Sequence, residues 1–340
     1  MNEHILTLAR ENAPCYLYEY DVMKAQVETL RQTFPQYDLL YSIKANPFPP
    51  VVRALAALGL GADAASAPEV LLSRKCGMAK EDIFFSAAGK SDAALEAAWD
   101  DLPVTVEGIH VHLKSQNLDA DVLGGCYRDS WALAKRVQAA LDCEMRYVNF
   151  GSGVGVAYDA AFEQPMNLAH LRTYTDAIAA DNDATWKARL MIETGRFPTA
   201  QAGTYWLRVV DKKFSRGKTY VIAENCMNGL QKPALAAMLR HELGGGTPAP
   251  YEPLFTSEWA FPIIAHGDES RTETVDIVGN LCCAADVLAE DFTGPELAVG
   301  DLIEVRNAGA YACTLTAQRF SSHQPPRELL VYGDGRVETE

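Results

Sequence analysis

The sequence predicts an α/β + β protein, a (β/α) barrel followed by a C-terminal all-β domain. Three observations predict it. Short apolar segments alternate with helical ones through the first two-thirds of the chain. Polar residues gather where the apolar segments end, at Lys44, Asp63, Ser86, His112, Gly151 and Glu193. Beyond about residue 205 the texture becomes β-branched and alternating. Strands alternating with helices imply a parallel sheet, and many such units imply a barrel whose active site lies at the strands' C-terminal ends.

The elements follow in order. "LLYSIKAN" reads as a strand and "PPVVRALAALG" as a helix. "LGADAAS" and "APEVLLSRKCG" repeat the pair, as do "DIFFSAAGK" and "SDAALEAAWD". "VEGIHVHLKSQ" is a strand, followed by a long helix over "GCYRDSWALAKRVQAALD". "MRYVNFGSGVGV" is a strand running into a glycine loop, "NLAHLRTYTDAIAADND" a helix and "ARLMIETGR" a strand. About six barrel strands are readable, near 39–44, 60–65, 82–87, 106–112, 146–150 and 189–193, where a complete barrel has eight. The barrel region, 36–205, is therefore shortened, and the shortening falls near residue 100. Residues 206–340 carry the β segments. Residues 1–35 supply a helix and the strand "APCYLYEYD", which is expected to join the β domain.

Composition narrows the function. The chain has 340 residues, 48% of them hydrophobic, enough for a large core. A net charge of −15 argues against nucleic acid, whose binding needs a basic face. No N-terminal apolar region reads as a signal peptide and no apolar run reaches the ~18 residues of a membrane span. The eight cysteines have no metal-site or disulfide spacing and read as reduced thiols of a cytoplasmic protein. The vicinal pair Cys282–Cys283 reads as two small buried residues.

Four stretches carry chemistry. Lys44 ends an apolar strand, where a lysine held among apolar neighbours can act as a neutral amine nucleophile and a snorkelling lysine is the alternative. "FGSGVG" places Gly151, Gly153 and Gly155 at alternate positions after a strand. Such a loop closes backbone N–H groups on an anion, and its spacing suits a lone phosphate better than a dinucleotide. "IHVHLKSQ" puts His110 and His112 on one side of a strand, with Ser115 just beyond. Nothing nearby completes a metal-ligand set, so no metal is expected, and an imidazole stacked on a flat ring is the other use. "IETGR" sets Glu193 and Arg196 at the last barrel strand's end, where a buried carboxylate needs a partner.

In this order "YSIKAN", "GADAAS", "HVHLKSQ", "NFGSGVG", "ETGR", "GNLCCAADVL" and "NAGAY" span nearly the whole chain. The set resembles the fold-type III pyridoxal-phosphate decarboxylases, the diaminopimelate/ornithine decarboxylase family. "HVHLKSQ" is most similar to the branch found in siderophore biosynthesis. The resemblance implies an alanine-racemase-like barrel, pyridoxal 5'-phosphate as cofactor, and a head-to-tail homodimer with shared active sites. It implies that Lys44 forms the Schiff base with the cofactor, near the acidic Asp63, and that His112 stacks on the ring. Ser115, Gly151, Gly153, Gly155 and Tyr311 would hold the phosphate, with Arg196 nearby, and Glu193 would face the pyridine nitrogen. Cys282 would come across the dimer interface to protonate the substrate carbon, with Cys283 and Asp286 beside the substrate.

Two departures from the family pattern matter. Relatives acting on diamino acids carry an acidic residue after the cysteine, whereas here Cys283 and Ala284 follow. This directs the expected substrate away from lysine, ornithine or diaminopimelate and toward a citrylated serine or diaminopropionate. The barrel also lacks about two βα units, roughly 70 residues. Three alternatives share the pattern: a diaminopimelate/ornithine-type decarboxylase, an amino-acid racemase, and an inactive pyridoxal-phosphate-binding relative.

Overall fold

A computed structural model describes residues 3–86, 107–141, 145–242 and 260–339. The chain forms two compact units, one of Val22–Pro198 and one combining Met1–Asp21 with Thr199–Glu340. It opens with α1 (Glu3–Asn12), β1 (Cys15–Glu19) and α2 (Tyr20–Thr33).

The Val22–Pro198 unit is built on six parallel strands: β2 (Asp38–Ser42), β3 (Gly61–Ala64), β4 (Ile83–Phe85), β5 (Gly108–His110), β6 (Tyr147–Asn149) and β7 (Arg189–Thr194). Their order is β4-β3-β2-β7-β6-β5. The strands match the six expected segments in place and direction. Among the described residues the sheet is open, and its two edges, β4 and β5, are consecutive in the chain. The helix expected over 91–100 and the join near residue 100 lie outside the described residues.

Helices return the chain between strands. α3 (Pro49–Ala57) starts on two prolines, whose fixed φ suits a first turn. α4 (Ala67–Lys75) is capped by Ser66, which accepts from the Glu69 N–H, while Glu69 accepts from the Ala65 N–H at 2.7 Å. α5 (Ala120–Leu141) begins five residues before the expected helix at Gly125. Asp119 caps it by accepting from the N–H groups of Asp121 and Val122, so Gly124 and Gly125 fall inside the helix rather than before it. α6 (Leu168–Thr185) is capped by Asn167. Aromatic edges close the core beneath the sheet, with Tyr37 and Tyr127 meeting Phe150 at 5.9 and 5.7 Å.

The second unit is a mixed sheet. After the turn α7 (Arg196–Thr199), the long strand β8 (Gly203–Ser215) forms its axis. β8 pairs antiparallel with β1 and continues, past a bulge near Val209, against β9 (Lys218–Ala223). The early strand β1 thus lies inside this sheet, between β8 and a later parallel partner, Arg327–Val331. The unit also carries α1 and α8 (Lys232–Glu242). β11 (Asp268–Gly279) and β12 (Val287–Glu296), which follow β10 (Ile263–His266), flank the cysteine pair. The core gathers Leu17, Trp206, Leu302, Leu329 and Val331 against Ile5 and Ala9 of α1. Among the described residues no helix is long and apolar enough to cross a membrane.

Leu17 is fully buried in this cluster. Leu17→Ala leaves a cavity and costs about 3 kcal/mol. A urea titration followed by tryptophan fluorescence should show a lower midpoint for the transition that exposes Trp206.

Candidate active site

Three neighbouring strands deliver the first cluster. β2 ends at Ser42, and Lys44 sits in a 3₁₀ turn, Ile43–Ala45, rather than on the strand itself. Asn46 ends the turn, its N–H donating to the Ile43 carbonyl and its side chain accepting from the Phe48 N–H. Asp63, opposite Ser42 in the β2–β3 register, is fully buried. A buried carboxylate must be met by donors. Ser42 Oγ donates to Asp63 Oδ2 at 2.9 Å and Lys44 Nζ to the same oxygen at 3.2 Å. Ser86 Oγ donates to Oδ1. The Lys44 side chain is 47% exposed. Its setting is a half-exposed ion pair with Asp63, the acidic residue that the resemblance places near it, and not a pocket of apolar neighbours.

Glu193 anchors a second cluster on the other side of β2, at 3% exposure. Asn149 Nδ2 donates to Glu193 Oε1 at 2.8 Å, and His110 Nε2 approaches the same oxygen at 3.0 Å. Asn149 Oδ1 accepts the Gly151 N–H. Nothing in the isolated segment marked Asn149, although it immediately precedes the glycine loop.

His110 and His112 take different partners because β5 ends at His110 and His112 lies in the loop beyond it. The Ser152 N–H donates to His112 Nδ1 at 3.0 Å, which fixes the ring proton on Nε2, and Nε2 lies 2.9 Å from Ser115 Oγ. Burial lowers the His112 pKa, helped by the charges of Lys44 and His110 and opposed by Glu193 and Asp63. The ring is a neutral, oriented plate.

The glycine loop is stitched to this histidine loop. The Asn117 N–H donates to Gly153 O and the Gly155 N–H to Asn117 O. A Cβ on Gly151 would lie 2.7 Å from Val111 O, and one on Gly155 would lie 2.7 Å from Asn117 O. Gly151 and Gly153 also hold positive φ, 68° and 137°. Arg196, almost buried, donates to the Tyr158 hydroxyl at 2.5 Å.

The remaining expected residues lie in the sheet unit and are described on their own. Tyr311 has φ 53° and stands with its ring 5.8 Å from the buried Lys232 ammonium. Cys282 and Cys283 are both exposed, contrary to the reading of two buried residues. Asp286, expected beside the substrate, is instead buried and committed to the backbone. It accepts from the Met227 N–H at 2.7 Å and the Leu281 N–H at 2.8 Å. A side chain on Gly279 would collide with this carboxylate. Asp286 therefore clamps the turn that presents the two thiols.

The groups of the Val22–Pro198 unit suit pyridoxal phosphate. An amine sits at the rim, a neutral imidazole beside it, and a close-packed glycine loop next to a strand end. Among the described residues both donors to Glu193 meet Oε1, leaving Oε2 for a further donor. The lowered pKa of His112 has a testable consequence. Histidine NMR should show the Nε2–H tautomer and a protonation midpoint lower than that of an ordinary histidine. A doubly protonated ring at neutral pH would refute this.

Residues 15–309 match the family described as pyridoxal-dependent decarboxylase, C-terminal sheet domain. An L-glutamyl acyl-carrier-protein decarboxylase from Niallia circulans is 25% identical over 94% of this chain and 89% of its own. A diaminopimelate decarboxylase from Aquifex aeolicus is 24% identical over 94% and 86%. Both alignments run to 394 positions, more than the 340 residues of this chain, so these relatives hold residues without a counterpart here. The fold matches diaminopimelate decarboxylase from Helicobacter pylori complexed with L-lysine, at TM-score 0.77 and 21% identity over 96% of this chain and 93% of that one. It also matches lysine/ornithine decarboxylase from Vibrio vulnificus complexed with putrescine, at TM-score 0.78 and 19% identity over 97% and 99%. The chain belongs to the pyridoxal-dependent decarboxylases and is a fold-type III carboxy-lyase whose cofactor is pyridoxal phosphate.

Proposed function

We propose that this enzyme removes CO2 from an L-amino-acid centre whose distal end carries no ammonium, a citrylated serine or diaminopropionate of siderophore biosynthesis being the substrate. The observation that carries the substrate class is Cys283, followed by Ala284, where relatives acting on diamino acids have an acidic residue. An exposed neutral thiol gives a distal cation no counter-charge. The glutamyl-carrier relative favours a second reading, an amino acid tethered through its distal carboxyl to a carrier protein. Both substrates lack the distal ammonium.

When bound, pyridoxal phosphate supplies the electron sink for the pair left as CO2 departs. Lys44 would supply the amine for the cofactor's aldehyde, and Asp63, which accepts its hydrogen bond, would restrain it. Glu193 would hold the ring nitrogen in its protonated form, which would favour decarboxylation over the weaker sink of a racemase. His112 would stack on the ring, and Ser115, Gly151, Gly153, Gly155, Arg196 and Tyr311 would hold the phosphate. Cys282, from the second copy of a head-to-tail cytoplasmic homodimer, returns a proton to the substrate carbon, and Asp286 positions the turn that carries it. Each turnover takes up one proton and yields the amine and CO2.

The purified enzyme should show an absorbance band with pyridoxal phosphate that Lys44→Ala abolishes. It should release CO2 from a citrylated serine or diaminopropionate and none from ornithine. Turnover of ornithine alone would overturn the substrate assignment, and turnover of a carrier-bound amino acid alone would select the second reading. Shared sites make a further prediction. Mixing Lys44→Ala with Cys282→Ala protein should restore about a quarter of wild-type activity, because half the dimers are mixed and each holds one intact site.

A further inference from the structure

His110 has no assigned part in the reaction, yet it touches the most deeply buried carboxylate of its surroundings after Asp63. Its Nε2 lies 3.0 Å from Glu193 Oε1, and Asn149 Nδ2 donates to that same oxygen at 2.8 Å. Asn149 is itself held by the Gly151 N–H, and the Glu193 N–H donates to Gly151 O. A carboxylate can accept on both oxygens. Placing both donors on one oxygen restrains the group and leaves the other oxygen with its acceptor capacity.

We propose that His110 is a positioning residue for Glu193: with Asn149 it holds Oε1, so that Oε2 is presented to the cofactor's ring nitrogen, and it supplies counter-charge to the buried carboxylate while the cofactor is absent. The proposal rests on the assignment of Glu193 to the ring nitrogen made above.

The local charges support it. His110 faces Glu193 from β7, Asp63 from β3, Lys44 from the turn after β2, and the neutral His112 two residues further along its own chain. Two carboxylates against one ammonium leave room for one more positive charge. Burial by itself lowers the His110 pKa, but the hydrogen bond and charge of Glu193, with the charge of Asp63, outweigh burial and raise it, against the opposition of Lys44. A protonated ring nitrogen arriving at Glu193 adds a competing positive charge. By linkage, that charge opposes protonation of His110 and draws its pKa down.

Histidine-labelled full-length protein tests this without an activity assay. In cofactor-free protein the His110 ring should titrate above the ordinary histidine range. Its midpoint should fall when pyridoxal phosphate is added, and should fall in cofactor-free Glu193→Gln. A midpoint in the ordinary range, unmoved by pyridoxal phosphate, overturns the proposal. Binding of pyridoxal phosphate, followed by tryptophan fluorescence, supplies a second readout. His110→Leu should weaken it about tenfold or more, as loss of a hydrogen bond to a charged group does. His110→Gln, which keeps an N–H donor without charge, should recover most of the affinity and flatten its pH dependence. Wild-type affinity in His110→Leu refutes the role. Wild-type protein that binds no pyridoxal phosphate would instead defeat the functional reading itself, and so separates the two failures.

Discussion

Two carboxylates buried at the C-terminal ends of a parallel sheet govern this site. Asp63 on β3 and Glu193 on β7 stand on either side of β2, in register with Ser42 and Leu40. Neither has water to solvate it, so each must be ringed by donors. Ser42, Ser86 and Lys44 gather on Asp63, and Asn149 and His110 gather on Glu193. Lys44, though half-exposed, is consequently drawn toward the neighbouring strand β3. Asn149 in turn fixes the start of the glycine loop through the Gly151 N–H. The positions of Lys44, of Glu193 and of the start of the glycine loop all trace back to these two charges.

Much of this was legible from local pattern. The six strands and most helices follow from short apolar runs between turn signals, because burial on both faces of a parallel sheet leaves that imprint. Lys44, Asp63, His112 and Glu193 stood out as polar residues where apolar runs end. The pairings among them could not be read, since His110 and Glu193 are 83 residues apart and only the sheet order joins them. The same holds for Asn149, which is polar, small and next to glycines, a profile shared by many loop residues. The exposure of Cys282 and Cys283 was hidden for a different reason: their turn is set by Asp286, whose carboxylate is spent on backbone N–H groups. The segment "CCAAD" alone does not say which way its thiols face. Helix α5 was placed late because glycines usually end or precede helices, and the Asp119 cap overrides that tendency.

The two units divide the chemistry. The parallel sheet carries the amine, the imidazoles and the buried carboxylates, while the mixed sheet carries the thiols on a clamped turn. Cys283 and the groups around Asp63 and Glu193 therefore stand on separate units. Among the described residues, the groups proposed for the ring and its carboxylate lie on β2, β3, β5, β6 and β7 and the loops that leave them.

The stitching of the two loops through Asn117 has a metrical consequence. Gly153 and Gly155 are bonded to the chain that carries His112 and Ser115, and no residue larger than glycine fits at positions 151 and 155. The imidazole of His112 and the glycine loop are thus tied together by backbone hydrogen bonds, so the spacing between them is set by the main chain and not by side-chain choice. In the reading proposed above, that spacing would gauge a ligand from ring to phosphate.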